Sequence, residues 1–373
     1  MYRSIYDALN DTVSDTNASW CVLDGLDKRD IKDRKWFDKF RLLATSGQFP
    51  PDSVPVNFFK LCLVPYWKQS DLEAFGLHMQ MEESDVDARL FVSGGSLGKF
   101  LDDDAEASVK PALDRIKKPE DAEILLTKYR LSGNKQLDHI RMRGVCDRNN
   151  ADHYVDLWRW TGCGTSKLVL HHLAAMMRPY FFEELISAMK PDFSETRMGS
   201  ATGMNDDRLE DITFEAYFHS LVYHRRSVCV EYCKYDNGNR ETVNNWENNL
   251  HADVGSIEWK ELSVVESGEN TTECVAVMEI WAAKPSEMDY WIPATSLCET
   301  VDAVAKLTFP DNSERFCFLQ LTKAATHKCN ADFLWDLAQP FVDKKLDVCY
   351  IALVPDEDKR RKFRLSPVQI TKK

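Results

Sequence analysis

The alternation of apolar and polar positions divides the chain into strand-rich ends and a helical middle. Near the N-terminus, Trp20 to Leu23 is an apolar run ending in Asp24-Gly25, Arg41 to Gly47 is a second, and Phe58 to Val64 runs into Pro65. Short apolar runs bounded by turn residues predict buried strands. Ser70 to Phe75 predicts a helix with Ser70 as its N-cap, and Met81 to Phe100 closes this block. Ala105 to Arg130 is charged and periodic, with Pro111 and Pro119 cutting it into short helices. His153 to Trp160 is aromatic-rich and predicted to pack inward. Lys167 to Met177 predicts an apolar helix stopped at Arg178-Pro179, and Pro179 opens the next, Tyr180 to Met189. Ser194 to Asp211 reads as a loop, Phe214 to Tyr232 as a β-rich stretch, and Tyr235 to Asn239 as a hairpin turn.

The last third has the clearest pattern. Glu273 to Trp281 reads as a strand, followed by a loop containing Pro285 and Pro293. Val301 to Leu307 and Arg315 to Thr322 read as two more strands, Asn330 to Phe341 as a helix and Asp347 to Val354 as a final strand. The predicted order is βββαβ, preceded by a helix near Ile257 to Leu262. Two of these strands carry polar groups where a buried strand should have none: Asp302 in the first, Gln320, Thr322 and Lys323 at the end of the second. A carboxylate within a Val-Ala-Leu run is costly without a metal or a partner, so Asp302 is the leading candidate site residue.

The βββαβ order is that of the restriction-endonuclease-like core. There a strand-borne Asp and an acid on the next strand hold magnesium, and a lysine two residues after the second acid polarises the attacking water. Here Gln320 follows Asp302 by 18 positions, with Thr322 at the lysine position and Lys323 one residue late, where strand alternation turns it to the other face. The expected catalytic set is Asp302, Gln320, Thr322, Lys323 and His327, the last as a base or phosphate contact. The expected Mg2+ ligands are Asp302, Glu279 and Glu299.

Length adds a domain count. A chain of 373 residues exceeds one simple core, and the pattern predicts a multidomain α/β and α+β protein. Its parts are residues 1–103, a partial P-loop-ATPase-like region; 104–250, a helical and mixed connector; and 251–373, the restriction-endonuclease-like domain. In the first part Asp24 would be the magnesium-side acid and Thr45 or Ser46 the sensor. No Gly-x-x-x-x-Gly-Lys-Ser/Thr occurs. Gly162-Cys163-Gly164-Thr165-Ser166-Lys167 and Ser93-Gly94-Gly95-Ser96 lack its spacing, so ATP hydrolysis by this chain is not expected.

A net charge of −13 argues against non-specific coating of nucleic acid, although Lys359 to Arg364 is a compact basic cluster. The 11 cysteines lack framework spacing and predict reduced thiols and an intracellular protein. Cys229 and Cys233 with His219 and His224 are the tightest zinc candidates. Adjacent His171 and His172 point about 100° apart on a helix and do not suit one ion. No apolar run approaches the about 20 residues of a membrane span, and the first residues show no secretory signal. No membrane partner is expected.

Tyr290-Trp291-Ile292-Pro293 leading to Val301-Asp302-Ala303, then Phe318 to Thr322 and His327, resembles the C-terminal segment of Crinkler-type effectors and retrotransposon hot-spot proteins. Leu90 to Leu97 and Trp20 to Asp24 resemble the ATPase half that precedes it. The resemblance implies an effector or toxin acting in the host nucleus or cytoplasm, with a magnesium-dependent nuclease acting on DNA. The alternative it implies is an inactive nuclease fold that binds host protein or nucleic acid. The Leu-Phe-Leu-Ala-Lys header of such effectors is missing.

Overall fold

A computed structural model describes residues 22–24, 42–44, 62–64, 66–119, 139–145, 150–156, 160–189, 207–232, 253–259, 262–295, 298, 300–309, 312–323, 326–356, 358 and 363–368. The protein is a mixed α/β chain. Two short parallel strands, β1 (Val22–Asp24) and β2 (Leu42–Ala44), are followed by helices α1 (Gln69–His78), α2 (Glu83–Ser93), α3 (Leu97–Phe100) and α4 (Ala105–Leu113). An antiparallel hairpin, β3 (Arg141–Val145) and β4 (Trp160–Gly164), feeds α5 (Lys167–Met176) and α6 (Pro179–Met189). Then come α7 (Asp207–Tyr223) and a second antiparallel pair, β5 (Val228–Tyr232) and β6 (Asp253–Ile257).

The remaining chain builds a mixed sheet of five strands, in the order β12-β10-β9-β8-β7. Strand β7 (Val264–Ser267) is followed by α8 (Thr271–Ala283) and β8 (Tyr290–Pro293), which pairs parallel to β7. An antiparallel meander continues through β9 (Ala303–Thr308) and β10 (Glu314–Leu321). After β11 (Thr326–Asn330) and α9 (Ala331–Asp343), β12 (Val348–Leu353) lies parallel to β10, and β13 (Arg364–Val368) pairs with β11.

Alternation along β10 decides how the sheet is covered. Phe316 and Phe318 pack with Met278 and Trp281 of α8 and Leu337 and Phe341 of α9. Cys317, Leu319 and Leu321 pack instead with Phe218 and Val222 of α7 and with Trp259. Trp281, Trp291, Tyr290, Phe318 and Phe341 are fully buried, and burying an aliphatic or Phe side chain of that kind contributes about 1.5–3 kcal/mol. A third core joins Tyr66, Val109, Ile140, Leu170, Phe182 and Ala216. Apolar packing therefore runs across position 103, and through α7 across position 250.

Several elements differ from the sequence expectation. Glu273 to Trp281 is helical: Asn270 caps α8 by accepting from the backbone N–H of Glu273 at 3.0 Å, and the buried positions Cys274, Met278, Trp281 and Ala282 repeat at helical spacing. The first strand of the meander is instead Tyr290–Pro293, whose run is buried throughout. The expected helix near 257–262 begins as strand β6, and Glu258 and Trp259 are irregular. Phe214 to Tyr223 is helix rather than strand; α7 is packed on opposite sides by two cores, so it lacks the one-sided stripe that marks a surface helix. Helix α1 starts one residue before Ser70, with Lys68 at the cap position. Pro111 lies inside α4, which continues to Leu113. Residues 62–64 are not strand. Thr45, Ser46, Glu299, Cys233 and the stretches 58–61, 194–206 and 359–362 lie outside the described residues.

Candidate functional site

The site begins with the β4-to-α5 turn. Ser166 caps α5 by accepting from the backbone N–H of Val169 at 3.4 Å, which makes Lys167 the first helical residue. The turn is braced by the other glycine-rich loop. Gly94, at φ +52°, brings its backbone so close to Thr165 that an added Cβ would lie 1.4 Å from that carbonyl oxygen. Only glycine fits there. Gly95 accepts from the backbone N–H of Trp67 at 3.0 Å. The two motifs that failed as phosphate loops thus pack on each other and hold Lys167 in place.

From that position the Lys167 ammonium donates to two carboxylates, 2.9 Å to Glu215 Oε1 and 3.1 Å to Asp302 Oδ1. Glu215 comes from α7, and Asp302 from the residue before β9. Asp302 Oδ2 accepts from Gln320 Nε2 at 2.6 Å and from the backbone N–H of Leu321 at 2.7 Å. These contacts follow from the meander: with Leu319 opposite Ala303, Gln320 falls opposite Asp302. Gln320 Oε1 is buried without a hydrogen-bond partner among the described residues. Asp211, one turn before Glu215 on α7, accepts from the Thr322 hydroxyl at 3.2 Å and from the backbone N–H of Lys323, tying α7 to the end of β10.

A histidine pair completes the far side. His171, one turn along α5 from Lys167, places Nε2 2.8 Å from Glu215 Oε1. His219, one turn after Glu215, places Nε2 3.6 Å from the same oxygen, while its Nδ1 is 3.0 Å from the Tyr290 hydroxyl. His171, Glu215 and His219 are all buried, their ligand atoms lie within 4.8 Å of one another, and the cluster could hold a metal ion. Next to it, a small cavity of about 40 Å³, open to solvent, is lined by Tyr66, Trp67, Gly94, Ser166 and Lys167 among others. Lys167 therefore stands between cavity and carboxylates.

The electrostatics follow from burial opposed by pairing. Burial raises Asp302 to about 7, with the Glu215 charge adding to the rise and Lys167 opposing it. Burial also acts to raise Glu215, but Lys167 and His171 outweigh it and hold this carboxyl well below the ordinary range. Burial acts to lower Lys167; the two carboxylates overcome it and raise the ammonium above its usual value, so it stays charged. Burial depresses His219 to about 4, leaving a neutral imidazole. Burial also raises the Tyr290 hydroxyl, which remains a phenol.

Of the residues expected from sequence, Asp302, Gln320 and Thr322 meet at the end of the sheet. Lys323 reaches it through its backbone N–H, beyond the last residue of β10. His327 lies on β11, in the small sheet with β13 rather than in the sheet of Asp302. Glu279 is exposed on α8. His219 meets His171 and Glu215, whereas Cys229 is exposed on β5. Of the adjacent histidines, His171 joins the cluster and His172 does not. Lys167, Glu215 and Asp211 are not among the residues expected from sequence, and Tyr290 is there only as part of the segment that carries the resemblance. The only signals were the lysine of the rejected glycine-rich motif and the Asp211, Glu215, His219 spacing of four, which becomes a stripe only on a helix. No helix among the described residues is long and apolar enough to cross a membrane. No family model, curated protein or solved structure matches the chain.

Proposed function

We propose that the chain is a magnesium-dependent phosphodiesterase of the restriction-endonuclease-like kind, acting on nucleic acid, with its site at Asp302, Glu215, Gln320 and Lys167. The observation that carries this reading is the Lys167 ammonium bridging two buried carboxylates beside a cavity. Thr322 stands where a strand-borne lysine would be, and Lys167 delivers the missing cation from α5. The donor set suits a hard cation: two carboxylates and the orphaned Gln320 Oε1 are all oxygens. Asp302, Glu215 and Gln320 would hold magnesium, which when bound supplies Lewis-acid stabilisation to a phosphoryl oxygen.

The chain's own residues do the rest. Lys167 stays protonated, so once displaced from the two carboxylates it would anchor a phosphate oxygen or orient water rather than take a proton. Asp211 and Thr322 fix α7 against β10 and so fix Glu215 relative to Asp302. The partly exposed ring of Trp67 offers a stacking face for a base at the cavity mouth. In this reading, the Asp302, Gln320, Thr322 residues that resemble Crinkler-type effectors belong to such an effector or toxin, working on DNA inside a host cell.

A second reading has its own support. Both Asp302 oxygens are already engaged by Lys167, Gln320 and Leu321, which is how a purely structural buried carboxylate is satisfied. The chain would then bind host protein or nucleic acid without cleaving it. Incubating the purified chain with supercoiled DNA and Mg2+ or Mn2+ separates the two. The proposal expects nicking that is abolished by Asp302→Asn in a folded variant. Absence of cleavage with either metal, or undiminished cleavage by the variant, overturns it, and DNA binding without cleavage favours the second reading.

A further inference from the structure

We infer that His171, Glu215 and His219 form a second metal site, which shares Glu215 with the oxygen-donor set proposed above and takes a borderline transition-metal dication of the Zn2+ class. It does not depend on phosphodiester hydrolysis. The three side chains come from two helices packed side by side, and the i, i+4 spacing of Glu215 and His219 puts both ligands on one face of α7. Two imidazole nitrogens and one carboxylate oxygen suit zinc and its neighbours; magnesium prefers oxygen alone.

A second observation points to a cation. His219 Nε2 is fully buried, faces Glu215 at 3.6 Å, and has no hydrogen-bond partner among the described residues. Tyr290 engages the other nitrogen of this ring. If the Tyr290 hydroxyl accepts from Nδ1–H, Nε2 presents a bare lone pair to a carboxylate, two negative features facing each other in a buried place. A dication between them removes that conflict. Tyr290 would then act as the outer partner that sets the tautomer and orients the ring, as such partners do for metal-bound histidines. The hydrogen His171 Nε2 directs at Glu215 would shift to Nδ1, also unpartnered among the described residues, or leave to solvent.

The site also has a consequence for Lys167. Its ammonium uses the same Glu215 Oε1 at 2.9 Å, and an ammonium and a dication cannot share one oxygen closely. Metal binding should therefore release Lys167 from Glu215 toward Asp302 or the adjoining cavity. The metal would change the cation nearest Asp302 without touching Asp302 itself.

The test is a titration of the chelator-stripped full chain with Zn2+ against a chromophoric indicator, with Co2+ as a spectroscopic substitute. One equivalent should bind, and the Co2+ form should show the visible absorption of a four- or five-coordinate nitrogen and oxygen site. His171→Ala and His219→Ala should each weaken Zn2+ by at least about 100-fold, at or beyond the 10–100-fold that loss of an outer partner costs. His224→Ala, on the same α7 end but bonded to the Ser220 carbonyl, should leave affinity unchanged. Because the buried variants could unfold, X-ray absorption of the Zn2+-loaded unmutated chain gives an independent reading, with two imidazoles at about 2.0–2.1 Å expected. Failure to bind one equivalent, a spectrum without two imidazoles, or unchanged affinity in a folded His171→Ala, His219→Ala double variant overturns the proposal.

Discussion

Replacing Lys167 by methionine isolates the electrostatic centre of the site. The substitution keeps most of the apolar stem and removes the ammonium, leaving Glu215 and Asp302 buried without the cation they share. Breaking a buried ion pair from one side costs about 3–5 kcal/mol, because a charge is left uncompensated. The Lys167 side chain is 26% exposed, so water relieves part of that loss; the low end, about 3 kcal/mol, is the expected deficit at neutral pH. For a protein of this size each kcal/mol corresponds to no more than about 2–4 °C, so Tm should fall by up to roughly 6–12 °C. The measurement is urea and thermal unfolding in chelator, followed by tryptophan fluorescence.

The pH dependence adds a sign that packing loss alone would not give. Asp302 has a folded pKa of about 7, above the unfolded value of about 3.9. The folded state therefore keeps an extra proton in that interval, and ionising Asp302 costs stability as pH rises through it. Glu215 is the opposite case: its depressed folded pKa contributes stability above the unfolded value that is lost as pH falls. Lys167 opposes the first effect and causes much of the second. Without it both carboxyls hold protons to higher pH, and the deficit of the variant should widen from about pH 5 to pH 8. A variant within about 0.5 kcal/mol of the original at pH 7.5, or a deficit that narrows as pH rises, would refute the ion-bridge account.

Two other substitutions probe the frame around the site. Gly94→Ala should cost about 1–3 kcal/mol for its backbone conformation alone and more for the 1.4 Å approach to the Thr165 carbonyl; chemical denaturation should show a loss above 2 kcal/mol, and a neutral result would contradict the loop-on-loop contact. Phe341→Ala removes a fully buried ring that lies 4.4 Å from the Phe316 ring centroid and meets Trp281 edge-on; a loss of about 3–5 kcal/mol is expected in the same assay, and less than 1 kcal/mol would mean that α9 does not cover the sheet as described.

Local pattern settled the elements whose burial is one-sided or whose ends carry a stop signal. Helix α5 and its Pro179-started successor, the strands around Asp302 and Gln320, helix α9 and strand β12 follow directly from runs, caps and prolines. The same pattern misassigned Glu273 to Trp281, because its alternating Val, Met, Ile and Trp fit either period until the Asn270 cap is weighed. It misassigned α7 for a deeper reason: a helix packed on both sides loses the polar stripe by which helices are recognised.

The carboxylate in the Val-Ala-Leu run was legible as a defect that needed a partner, although Asp302 precedes the first residue of β9, and cross-strand spacing fits Gln320 as one such partner. Its cation could not be read. Lys167 lies 135 positions before Asp302, and its one sequence signal, the glycine-rich motif that ends in it, points to phosphate rather than to Asp302. Two packing events decide it: Gly94 locking the turn before α5, and α7 wedging Glu215 between that turn and the end of the sheet. Local pattern shows which residue types need compensation. Which charges supply it is a matter of packing, because charge pairing depends on distance through space, and distance along the chain carries almost none of that information.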